Sequence, residues 1–83
     1  MSERKAKDNG KRIVVVEEGN VFIGTPGTDR HTLLDASVIR IWGTTAGLGQ
    51  LALHGMQKDT VLDFAGTVEI NPNKELFRLV CIF

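Results

Sequence analysis

Residues 12–26 read RIVVVEEGNVFIGTP, two β-branched apolar runs separated by Glu18-Gly19-Asn20. No other stretch restricts the fold as tightly. Gly19 and Asn20 are residue types that accept positive φ, so the run predicts two antiparallel strands, near 12–17 and 20–25, joined by a tight turn. In the first strand Ile13 and Val15 point to one side and Val14 and Val16 to the other. A strand that is apolar on both faces must be covered on both, which places it centrally or under cover rather than at an exposed edge.

The remaining segments are also β in character. Thr25-Pro26-Gly27-Thr28-Asp29 is a loop by composition. A short strand is expected at 32–35 and a stronger one at 37–42, where Ile39 and Ile41 share one face while Val38, Arg40 and Trp42 share the other. Further strands are expected at 60–64 and 67–70, broken at Gly66, and after the Asn71-Pro72-Asn73 turn a last one at 76–83. Between them, Leu48, Leu51 and Ala52 fall at helical spacing. The expectation is a mainly β, α+β fold: a small antiparallel sheet or barrel of five to six strands with one short helix near residues 45–54. Residues 12–83 form a single domain behind a flexible basic arm, 1–11.

With 83 residues there is room for one small core, a size at which disulfides, metals or self-association commonly supply missing stability. The lone cysteine, Cys81, cannot bridge internally and reads as a reduced, buried thiol of a cytoplasmic protein. His31, His54 and Cys81 are scattered, so no metal or other cofactor is expected. No apolar run approaches membrane-spanning length, and IVVV is too short for a secretory h-region. Over residues 1–12, Arg4, Lys5, Lys7, Lys11 and Arg12 outnumber Glu3 and Asp8. Without interleaved aromatics this reads as a solvated terminus, and nucleic acid is not the expected partner. Self-association remains, and the closing segment supplies a surface for it. Phe77, Leu79, Cys81 and Phe83 line one face, with Leu76, Val80, Ile82 and Arg78 on the other. A domain this small cannot easily bury both, so Leu76, Phe77, Leu79, Val80, Ile82 and Phe83 are the expected interface of a homo-oligomer.

Chemistry concentrates in residues 43–55, GTTAGLGQLALHG. The GxxxGxG spacing after a strand resembles the phosphate-binding turn of short-chain dehydrogenases, and Asp63 supplies an acid further on. Too few residues follow Gly43 for a doubly wound sheet, however, and the chain has no Tyr to serve as that family's catalytic residue, so no enzyme is expected. A short helix remains, capped by Thr44 or Thr45 and ended by Gly55 after His54. Trp42 and Arg40 admit two readings: an Arg stem covering a half-buried indole, or a platform on which indole stacks and guanidinium meets phosphate. In the second, Arg40 and Lys58 neutralise phosphate, Trp42 stacks on a base, and Thr44, Thr45, Gly47, Gly49, Gln50 and His54 line the site.

The succession VFIG, LLDASVIRIWG, TAGLGQLALHG and the strand entry at 58–60 resembles a small uncharacterised family of bacteria and their phages, over about residues 13–70. Met56 stands where that family commonly has Pro. The resemblance implies a compact common fold and a phage or prophage origin, and brings no activity with it. The expected function is a small oligomeric binding protein that sequesters a nucleotide-like signalling ligand in counter-defence. The alternative is a protein-interaction module that blocks or coats a host protein.

Overall fold

The computed structural model describes residues 7–29 and 31–83. Five strands, β1 (Arg12–Val16), β2 (Val21–Pro26), β3 (Thr32–Ile41), β4 (Val61–Glu69) and β5 (Glu75–Val80), form one antiparallel sheet in the order β4-β3-β2-β1-β5, with a single helix α1 (Leu48–His54) between β3 and β4. The fold is thus mainly β with one short helix.

The hairpin forms as its sequence dictates. Ile13 pairs with Ile23 and Val14 with Phe22 across the turn, and β1 lies between β2 and β5. Positive φ falls on Glu18 and Gly19, not on Asn20, because a single 3-10 turn at Glu17–Gly19 makes the reversal. Ile13 and Val14 are both fully buried although they point to opposite faces.

Two expected breaks are bulges within longer strands. Residues 32–41 form one strand, with Asp35 at φ 49° where the register with β2 and β4 shifts. Residues 61–69 likewise stay continuous through Gly66 at φ 84°. A bulge absorbs one extra residue and sharpens the twist without ending the ladder. The sheet therefore has five strands.

Each face carries its own core. On one, Ile13, Val15, Val21, Ile23 and Ile39 meet Leu48, Leu51 and Ala52 of α1 together with Cys81. On the other, Val14, Val16, Leu33, Ala36 and Ile70 pack together, with Phe22 and Val68 alongside. Among the described residues no helix covers this second face; the connection between β4 and β5 does. β4 ends beside Thr32 and β5 begins beside Val16, at the opposite end of the sheet and the opposite edge. In a flat sheet four strand spacings of about 4.8 Å would separate them laterally by about 19 Å, with most of a strand length added. The segment from Glu69 to Glu75 reaches only about 20 Å fully extended. The sheet therefore curls, and this segment crosses the concave face, with Ile70 buried in the core and its N–H donating to the His31 carbonyl at 2.6 Å.

The last residues close the helix side. β5 stops at Val80, short of the expected 76–83, and the Ile82 N–H donates to the Ala52 carbonyl at 2.8 Å. Phe83 lies against Gly55, whose φ of 86° and N–H bond to the Leu51 carbonyl end α1. Within the stretch expected as an arm, the Asn9 N–H donates to the Cys81 carbonyl, and the Cys81 N–H to that of Lys11.

Candidate functional site

The strand–helix junction is built around its own backbone. At Gly43, with φ 65°, a Cβ would collide with the Asp59–Thr60 backbone, so the close crossing of these segments requires glycine. The crossing is fastened by the Thr60 hydroxyl, which donates to the Trp42 carbonyl at 2.7 Å. Next, Thr44 Oγ1 accepts the Gly47 N–H at 3.0 Å. The Gln50 side chain folds back so that its Oε1 accepts the N–H groups of Thr45, at 3.0 Å, and Ala46, at 2.8 Å. Helix α1 begins at Leu48, later than expected. Its N-cap is Gly47, at φ 85° and without a side-chain cap bond, in place of Thr44 or Thr45.

These bonds occupy donors that a phosphate would need. The Gly47 amide serves Thr44, and the amides of Thr45 and Ala46 serve Gln50. Gly49 lies exposed in the first turn of α1. Arg40 donates through Nε to Asp63 Oδ2 at 2.7 Å and through Nη2 to Oδ1 at 3.3 Å. Asp63 lies beside Val38 in register, on the face away from α1, and Arg40 joins it there. A shallow depression on the outer side of α1 brings together Thr45, Gly49, Gln50 and His54, but not Arg40, Trp42 or Lys58. The nine residues expected to share a site are therefore divided among several surfaces. Trp42 is about half exposed, and Lys58 projects from the turn before β4.

The expected interface residues separate as well. Leu76, Phe77 and Val80 are exposed on the edge strand β5. Leu79 packs against the core beneath α1, Ile82 is bonded to the helix backbone, and Phe83, though part exposed, rests on Gly55. The end of the chain serves the subunit's own core before it serves any neighbour. Burial beneath the helix also pushes the Cys81 thiol above its ordinary titration range.

A second apolar surface lies at the other edge. Phe64 pairs with Ser37, Ser37 with Ile23, Ile23 with Ile13 and Ile13 with Leu79, a continuous row across the helix-side face. Leu48, Leu51 and Ala52 of α1 share a buried core with Ile13, Ile23 and Ile39 on this face, and Leu62 and Phe64 of β4 lie outside that core, exposed. What remains is a trough of about 240 Å³ whose apolar walls come from Ile23, Met56, Leu62 and Phe83, with Ser37 among them and Lys11 and Asp35 also on its lining. Phe64 stands next to Ser37 at 74% exposure. The alternation of Leu62 and Phe64 with Asp63 in VLDFA was the available signal. It marks an apolar strand face without revealing that the helix fails to cover it.

No protein-family model, no curated protein and no solved structure matches this chain. Among the described residues no cluster of His, Cys, Asp or Glu is placed to hold a metal ion, and no helix is long and apolar enough to cross a membrane.

Proposed function

We propose that this protein is a small non-catalytic protein-interaction module that works through the apolar surface of its sheet. The observation that carries the reading is the placement of large exposed apolar side chains on both edge strands, Leu62 and Phe64 on β4 and Leu76, Phe77 and Val80 on β5. Large apolar side chains left exposed on both edge strands of so small a domain mark contact surfaces, and edge strands add unpaired backbone groups that a partner can join. A cytoplasmic setting in a phage or prophage, with a host protein blocked or coated, belongs to the same proposal.

A nucleotide-like ligand held for counter-defence at the strand–helix junction is the second reading. In its favour are the half-exposed indole of Trp42 and the depression beside Thr45, Gln50 and His54. Against it stand the internally bonded amides and the charge of Asp63 on Arg40.

Native mass spectrometry of protein purified gently from the cells that make it separates the two. The expected result is a stoichiometric assembly accounted for by polypeptide masses alone. A bare 9.1 kDa chain overturns the interaction reading. A discrete nucleotide-sized mass that disappears in Trp42→Ala replaces it with the second.

A further inference from the structure

Phe64 and the trough are neighbours on one face, and each supplies what the other lacks. The phenyl ring is the most exposed of the large apolar side chains among the described residues and leans along β4 toward Gly66, which has no side chain to cover it. A cavity of roughly 150 Å³ holds a benzene ring, so the trough, at about 240 Å³, has room for one phenyl group. Phe64 does not line the trough of its own subunit: it pairs with Ser37 at the trough's margin and its ring leans away toward Gly66 on the same strand.

We propose, building on the protein-interaction reading, that the occupant of the trough is a second copy of this chain. The two copies stack their helix-side faces about a two-fold axis, and each inserts Phe64 into the trough of the other. A two-fold operation exchanges a projection and an adjacent recess on one surface in both directions at once, the condition for a closed isologous dimer. The charges on the trough agree with this. Lys11 and Asp35 line it, and neither side chain has an ion-pair partner among the described residues. The same operation offers the lysine of each copy to the aspartate of the other, an arrangement that sets register across an interface. A different protein would have to bring its own aromatic side chain and matching charges, whereas this chain already carries both halves.

Analytical ultracentrifugation of the full chain over a wide concentration range tests the arrangement. The wild-type protein sediments as a dimer. Phe64→Ala raises the dissociation constant by roughly a hundredfold or more, because the symmetry repeats the loss of one aromatic anchor. The ring is exposed within the subunit, so the circular dichroism spectrum of the variant is unchanged. Ser37→Phe fills the trough from within and also yields a monomer; Leu62→Asp, which alters the wall instead, does the same if Ser37→Phe fails to fold.

Mixing is the decisive measurement. Phe64→Ala keeps an open trough and either trough variant keeps a free Phe64, so their mixture recovers a heterodimer that neither forms alone. A wild-type monomer, a dimer indifferent to Phe64→Ala, or a mixture that stays monomeric overturns the proposal. A dimer that is lost only in Phe77→Asp places self-association on β5, refuting the exchange of Phe64 while leaving the protein-interaction reading intact. A retained nucleotide-sized mass lost in Trp42→Ala defeats that broader reading instead.

Discussion

Gly43 has a backbone role that its place in a glycine-rich motif conceals. Its positive φ and the crossing of Asp59–Thr60 leave no space for a Cβ. Gly43→Ala is therefore expected to destabilise the fold by roughly 2 kcal/mol or more, read from the urea midpoint at constant slope. A ligand-binding glycine in a loose turn would tolerate alanine structurally and lose only affinity. The same distinction runs through the neighbouring residues. Thr44 and Gln50 have the composition of a phosphate loop, yet their oxygens accept the amides of that loop themselves. Residue type announces the capacity to bind an anion, and only the positions of the competing acceptors show that the capacity is taken up. Arg40 makes the same point: its partner Asp63 lies far away in sequence and is brought beside it by the pairing of β3 with β4.

At the scale of the element, α1 is too short to persist by its own hydrogen bonds and depends on the side chains it buries. Leu51 is fully buried against β1 and β2, whereas Leu53, two residues on, is 52% exposed. Leu51→Ala is expected to cost about 3 kcal/mol, while Leu53→Ala stays within about 0.5 kcal/mol; thermal and urea unfolding of the pair measures the contrast. The spacing of Leu48, Leu51 and Ala52 identifies the buried side from sequence. The start of the helix was less legible, since two threonines offered plausible caps and the side chain of Gln50 determines which amides remain for them. The bulges at Asp35 and Gly66 look like strand ends in sequence because a break in alternation is the same signal in both cases.

Across the whole molecule, closure links the two ends of the chain. Asn9 and Lys11 bond to the backbone of Cys81, Ile82 bonds to the end of α1, and the thiol of Cys81 is buried with the helix-side core. Its folded-state pKa is raised by desolvation, so the native protein holds this proton more tightly than the unfolded chain. The contribution is fully present below the unfolded thiol range of about 8.5 to 9 and is lost as pH rises through the folded value. The thiol's contribution is thus expected to be constant through neutral pH and to be lost from about pH 9 upward. Cys81→Ala should lower the neutral-pH stability but remove the thiol part of that alkaline slope, as urea unfolding of both proteins at pH 7.5 and 10 would show. An equal slope in the variant would assign it to other groups.

From its sequence alone this chain is committed to a central hairpin strand covered on both faces, to a mainly antiparallel β fold and to one short helix with a known buried side. These follow from local properties: β-branched runs, their period of two, and glycine where the backbone turns. Tertiary structure alone decides which surfaces remain open. Curling of the sheet brings residues 70–74 over one face, and the placement of α1 leaves the other open beside β4. That choice arises from contacts between segments distant in sequence. For this reason Phe64 looks like an ordinary strand residue in the sequence, and in the fold it stands exposed beside an apolar trough.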